Sequence, residues 1–440
     1  MSSRCISFLT PVLLLVLILS SCDRTSLELP GDESQPNMEN EAPAPETGNQ
    51  GQKVKLPDTR LSLTTEQMRS ISPGNEFSFK LFNRIREKRK SDSIILSPLS
   101  VEFVLGMLCN YVDCAEDLCK MIGLDGKDID VVNNYFQVLI GDLAKEDMAG
   151  LKLSNAIMRD QQAPLFKEEL ISTLNHYYKA DYSSFAALPL SELPVGERPE
   201  DLWVKEKTDG MIDSAPIPVL EGEAALFNTI CFKGEWVNKF VEENTQDAEF
   251  YKADKSKVYV KMMSQICDST LFYKGSGYAS ISLPMSAGAY LLTIMLPDEG
   301  QDINTVLSGL NSESWEILRS GLSYEKTQII LPKFKTTFSQ YNLFNYLDES
   351  FTTAFQDGIS RMSNNAGSAY SVKDMAQKAA FEIDENGAKA AAVTEALLIS
   401  SDGGSKPTEI KVFFANHPFV YALSEVGSGL ILFIGQYTGK

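Results

Sequence analysis

The chain has 440 residues, 43% of them hydrophobic and 22% charged, an ordinary globular composition with enough apolar material for a large core. Length alone permits two or three domains, or one large one. The formal net charge of -19 argues against a nucleic-acid backbone as the main partner, because like charges repel; it favours solubility or a cationic partner.

The N-terminus is the most specific local signal. Arg4 precedes the apolar run PVLLLVLILS and then LSSC, which ends at Cys22. A basic start, a short apolar segment and small residues before a cleavage point make a secretory signal rather than a membrane span. LSSC resembles the lipobox of bacterial lipoproteins, where the leader is cut before the Cys and that Cys is acylated. A standard signal peptide with an incidental Cys, or a short anchor, is the alternative. The resemblance implies a leader over 1–21, a lipid anchor at Cys22 and a place in the bacterial cell envelope, periplasmic or at the cell surface. Each buried methylene contributes about 0.8 kcal/mol, so several acyl chains hold stably. Residues 22–60 are rich in Pro, Glu, Asn, Gln and Gly and poor in aromatics. Such a segment reads as a flexible tether, with a single folded domain expected over 61–440.

Along that domain, NEFSFKLFNRIREKRK places Phe77, Leu81, Phe82 and Ile85 at helical spacing, with basic residues toward its C-terminal end. Setting Cys5 and Cys22 aside, Cys109, Cys114, Cys119, Cys231 and Cys267 remain, an odd count that rules out full pairing within the chain. The five-residue steps among the first three do not stack thiols on one helix face and lack the tight spacing of most zinc sites. They read as buried free thiols, with a disulfide or metal as the alternative. His176 sits at an apparent helix end and His417 before a Pro and a strand, neither beside the partners a triad needs. No Gly-x-Ser-x-Gly elbow, P-loop or dinucleotide fingerprint is present. No enzyme activity, metal or cofactor is therefore expected.

ALFNTICFKG, YASISLPMSAGAYLLTIMLP and TQIILPKFKTTF read as strand material, and GSGY at 275–278 as a hairpin turn. NTVLSGL and SQYNLFNYLD read as helices, the second capped by Ser339. HPFVYALSE and LILFIGQ, joined by VGSG, signal a terminal hairpin. Helices concentrate early and strands late, which predicts an α+β fold rather than alternating βαβ units.

Between these elements lies IDENGAKAAAVTEALL, from Ile383 to Leu398. As a strand, one face carries Ala388, Ala390, Ala392, Thr394 and Ala396, all small and uncharged; Lys389 and Glu395 fall on the other. An Ala-rich helix is the local alternative. ISSDGGSKPTEIK then reads as exposed loop.

SPLS at Ser97–Ser100, LWVKEKTDGMI at 202–212, FNTICFKGEWVNKF at 227–240, VKMMSQ, LPKFK, NHPFVYAL and ILFIGQ occur in this order. Together they resemble the serpin family over roughly residues 70 to 440. The resemblance implies a serpin fold of three β-sheets with about eight or nine helices and an exposed reactive-centre loop over about 385–411. It further implies a monomeric suicide-substrate inhibitor of serine, and in some cases cysteine, endopeptidases, in which the cleaved loop inserts as a strand into the main sheet. Glu385 matches the family's hinge acid, Lys333 its basic partner, and Gly387 follows at the bend. Trp203 is assigned to the aromatic that gates the insertion point. Ser97, Ser100 and Asn228 match a polar cluster under the sliding strands, with Gln377 where the family usually has His. The family's spacing puts the scissile bond at Ser401–Asp402. The loop is longer than in common inhibitory members, so Leu397, Leu398, Ile399 and Ser400 stay in range. The absence of Arg or Lys there favours elastase-, subtilisin- or chymotrypsin-like targets. A non-inhibitory serpin-fold lipoprotein acting as a surface binding module is the alternative; its usual mark, a bulky or charged residue on the inserting face, is missing here.

Overall fold

Helices dominate the first part of the chain. In the computed structural model, which describes residues 54–112, 114–184, 194–216, 224–347, 370, 375–387 and 409–439, α1 (Thr65–Met68) starts at a capping box in which Thr64 and Gln67 satisfy each other's backbone. Helix α2 (Ile71–Glu87) buries Phe77, Leu81, Phe82 and Ile85, the spacing seen in the sequence, and carries Arg84 and Arg86 in its last turn. After β1 (Ile94–Leu96), the Ser97 hydroxyl accepts the Ser100 N–H and caps α3 (Pro98–Cys109), with Pro98 in the first turn. Then come α4 (Ala115–Met121), α5 (Ile129–Leu143), β2 (Leu151–Arg159), α6 (Glu168–Tyr178), β3 (Asp181–Ser184) and α7 (Pro199–Lys207).

Strands take over from β4 (Ala224–Phe232): β5 (Gln246–Tyr251), β6 (Lys257–Gly275), β7 (Tyr278–Met285) and β8 (Tyr290–Pro297). After the short α8 (Asn304–Leu307) and α9 (Ser312–Ser320) come β9 (Ser323–Pro332), β10 (Phe334–Gln340), β11 (Gln377–Ile383), β12 (Lys411–Phe414), β13 (Phe419–Glu425) and β14 (Ile431–Tyr437). The described strands form three sheets. The largest runs β1-β14-β13-β8-β7-β6-β9-β12 with β5 on β6; the others are β3-β2-β4 and β10-β11. This is the three-sheet α+β arrangement expected from the sequence.

One junction matters for the site. Ala380 of β11 shares an apolar cluster with Ala156 and Met158 of β2 and Phe227 of β4, under Val204 of α7. Strands β4 and β11 are therefore close, yet no ladder joins them among the described residues. Each pairs on one side only, β4 with β2 and β11 with β10. The β10–β11 pair packs onto the large sheet, where Phe381 stacks on Tyr421 at 5.4 Å and Phe334 on Tyr437 at 4.7 Å.

Three expectations need correction. TQIILPKFKTTF is two strands in different sheets, divided at Lys333; Pro332 has no N–H to continue a ladder. Ser339 caps no helix: it lies in β10, opposite Lys378 of β11. Phe334, Thr336, Phe338 and Gln340 alternate as buried positions along that strand, a two-residue period that overrides the helix reading. Among the described residues, a short 3-10 turn, Leu343–Tyr346, comes after it. The folded unit also starts before residue 61. The Thr59 hydroxyl and Arg60 N–H each donate to the Glu425 carboxylate at 3.0 Å, so these two residues belong to the fold, not the tether. The leader, Cys22 and the tether up to residue 53 lie outside the described residues.

Candidate functional site

Strand β11 runs into a tight turn over Asp384–Gly387. The Gly387 N–H donates to the Asp384 carbonyl at 3.2 Å and the Asp384 N–H to the Gly387 carbonyl at 3.1 Å. The Asn386 N–H donates to Asp384 Oδ1 at 2.8 Å, the Asx-type bond that favours Asp in turns. Gly387 has φ +111°, and a Cβ there would lie 2.5 Å from the Gly234 carbonyl oxygen and 2.7 Å from Glu235 Cα. Only glycine fits such backbone.

The chain leaving β4 grips this turn. Glu235 bridges Gly387. Trp236 is buried; its Nε1–H donates to the Asp384 carbonyl at 2.8 Å and its backbone N–H to the Asn386 carbonyl at 3.1 Å. The Phe240 N–H donates to the Glu385 carbonyl at 3.0 Å.

Glu385 adds an ion pair. Lys333, held where the chain passes from β9 to β10, puts Nζ 2.7 Å from Glu385 Oε2. The Thr245 hydroxyl donates to the other oxygen at 2.8 Å. Burial pushes the Glu385 carboxyl up, but the Lys333 bond, backbone hydrogen bonding and the Thr245 hydroxyl together outweigh it and hold the group below the ordinary glutamate range. The same hydrogen bond raises Lys333. The Lys333 side chain is 42% exposed, so solvent screens the pair and its net worth is about 1 kcal/mol or less.

The start of β11 is tied down separately. The Ser97 N–H donates to Gln377 Oε1 at 3.0 Å, Gln377 Nε2–H donates to the Ser97 carbonyl at 2.6 Å, and the Ser97 hydroxyl donates to the Leu432 carbonyl at 2.8 Å. Gln377 both gives and accepts here, as an amide can. It links β11 to the cap of α3 and to β14, with Ser100 beside them. Asn228 is not in this group. Its Nδ2–H donates to Asn155 Oδ1 at 2.8 Å, and Asn155 donates to the Tyr178 carbonyl at 2.7 Å. That second network joins β4 and β2 to α6.

Trp203 is not at the hinge either. It lies on α7, donating from Nε1 to Asp181 Oδ2 at 3.1 Å, its ring 6.1 Å from Phe227. Trp236 is the tryptophan that meets the hinge. The sequence held a signal for this: Trp236 sits just past β4, in the GEW segment of the FNTICFKGEWVNKF block. Sequence reasoning also missed the link across the β4–β11 junction. Lys378 of β11 pairs with Asp213, in the segment after α7, and donates to Ser214 Oγ at 3.0 Å. In that same segment Asp209 takes Lys152 of β2 at 2.6 Å and Lys233 at 3.1 Å. The segment is thus bonded to both flanking sheets.

Residues 388–408 lie outside the described residues. They include the small face, Ala388, Ala390, Ala392, Thr394 and Ala396, and the candidate bonds from Leu397 to Asp402.

A family model described as serpin (serine protease inhibitor) matches residues 72–439. Glia-derived nexin of Homo sapiens is 26% identical over 401 residues, spanning 82% of this chain and 92% of the nexin. Leukocyte elastase inhibitor of Xenopus tropicalis is 27% identical over 385 residues, 82% of this chain and 97% of the relative. The crystal structure of the thermophilic serpin tengpin in its native state superposes with a TM-score of 0.70 at 22% identity, covering 89% of this chain and 100% of tengpin.

Proposed function

The chain belongs to the serpin family, and from that premise we propose that it is a suicide-substrate inhibitor of serine endopeptidases, with cysteine endopeptidases as a second target class. The protease nucleophile attacks the carbonyl before the scissile bond, the amine leaves, and an acyl-enzyme forms. The freed loop then enters the sheet and carries the protease with it before water can release the acyl group.

The observation that carries this reading is the junction between β4 and β11, two neighbouring strands that exchange no ladder. A hinge lies at its end, at Glu385–Gly387. A strand sliding between them gains main-chain bonds on both sides. One side must enter packed core, where an oversized side chain costs about 1–3 kcal/mol; Ala388, Ala390, Ala392, Thr394 and Ala396 are all small. The bond lies within Leu397–Asp402, suited to elastase-, subtilisin- or chymotrypsin-like proteases. The inhibitor acts as a monomer, anchored through acylated Cys22 in the bacterial cell envelope.

The test is incubation of the full chain with proteases of those specificities. A detergent-stable covalent complex is expected, with the released peptide's mass locating the bond. Ala388→Arg should turn the inhibitor into a substrate, because it drives a charge into the buried face. A panel yielding only cleaved protein and fully active protease overturns inhibition in favour of a binding module. Retention of Cys22→Ser protein in the membrane fraction overturns the anchor.

A further inference from the structure

Three of the remaining cysteines gather where α3 hands over to α4, away from the hinge. Cys109 is the last residue of α3 and Cys119 lies within α4, at 3% and 4% exposure. Their sulfurs are 3.5 Å apart and share a hydrogen bond. Cys114, at the N-cap of α4, is half-buried. No group of three or more His, Cys, Asp or Glu among the described residues is arranged to hold a metal. The cluster presents two thiols in van der Waals contact, on two helices joined by a short connection.

We propose that Cys109 and Cys119 are a disulfide-forming pair, oxidised during folding by a disulfide-bearing small molecule or protein, and that the bond staples the end of α3 to α4. Disulfide sulfurs sit about 2 Å apart, so each sulfur moves by under about 1 Å to close the bond. The steps balance. The Cys119 thiolate attacks the oxidant's disulfide and expels one of its thiolates, giving a mixed disulfide. Cys109 then attacks the Cys119 sulfur and expels the second, so two protein thiols lose two protons and two electrons while the oxidant's disulfide becomes two thiols. Both thiols are buried once folding is complete, which confines the oxidation to the folding chain. The export implied by the leader is the setting in which such bonds persist.

The staple also bears on the hinge-side machinery. Helix α3 carries Ser97 at its other end, bonded to Gln377 of β11.

The experiment is refolding of the full chain with and without a reduced/oxidised glutathione buffer, then alkylation of free thiols and peptide mass mapping. A linked Cys109–Cys119 peptide is expected, with a rise in melting temperature of about 2–5 °C, as a short closed loop allows, reversed by reductant. Cys119→Ser abolishes link and rise; Cys114→Ser leaves both. Full alkylation of Cys109 and Cys119 after redox refolding overturns the proposal, as does a link that maps to Cys114 or a link without a rise. The wild-type map decides the matter even if a variant fails to fold.

Discussion

The hairpin β13–β14 and the strand β11 are both built into the interior but use their edges differently. All seven residues of β13 and all seven of β14 are buried. β13 pairs with β14 and β8, and β14 with β13 and β1, so each is bonded on both sides. β11 is buried or half-buried throughout, yet only β10 pairs with it among the described residues. Burial alone therefore does not say whether a strand is finished. A buried backbone wants its N–H and C=O groups paired, and an edge left open in the interior of a fold is a place for one more strand.

The sharpest way to break that contrast is to cut the loop between Leu397 and Asp402. If the edge of β11 is a slot, cleavage raises the melting temperature by more than about 10 °C, as several kcal/mol of new pairing and packing requires. An unchanged midpoint removes the distinction between the two regions. Next in size, Phe433→Ala empties a fully buried site on β14, 6.0 Å from Phe381. It should cost about 3–5 kcal/mol in denaturant unfolding, with no dependence on loop cleavage.

Gly387→Val probes the hinge itself. It places a branched side chain against the Gly234 and Glu235 backbone at φ +111° and should cost about 1–3 kcal/mol. A neutral result would show that the turn can relax. The smallest effect is Glu385→Gln, about 1 kcal/mol or less, but it carries a sign. Glu385 is held below the ordinary glutamate range in the fold. Its contribution is complete above the unfolded value and fades as pH falls through the lowered one. The stability gap between wild type and Glu385→Gln should therefore be present at about pH 7 and close in acid. A gap that persists in acid would mean that the charge is not what Glu385 supplies.

Much of this was legible in the chain. The helical stripe of Phe77, Leu81, Phe82 and Ile85 became α2 because local spacing and a core-facing side agree. VGSG became the β13–β14 turn, and GSGY the β6–β7 turn, because glycines supply positive φ where the chain reverses; Gly277 has φ +80° and Gly429 φ +74°. The family resemblance, through its blocks and its hinge, located Glu385, Lys333 and Gly387, which the structure gathers at the hinge, and Ser97 and Gln377, which it joins at the start of β11. Asn228 and Trp203 were read from the same kind of block yet point into other networks.

The difference is one of range. By itself the sequence determined the features set by neighbours along the chain: helix faces, strand alternation and glycine turns. Only the tertiary structure decided the features that depend on partners far apart in the chain. It set Lys333 on Glu385 across 52 positions, chose Trp236 over Trp203 for the hinge, and made Ser339 part of a strand by offering β11 as a partner. It also brought Cys109 and Cys119 into contact from separate helices and left β4 and β11 side by side without a ladder. A side chain's partner is set by which elements pack together, and that packing is a property of the whole fold, not of any window of residues within it.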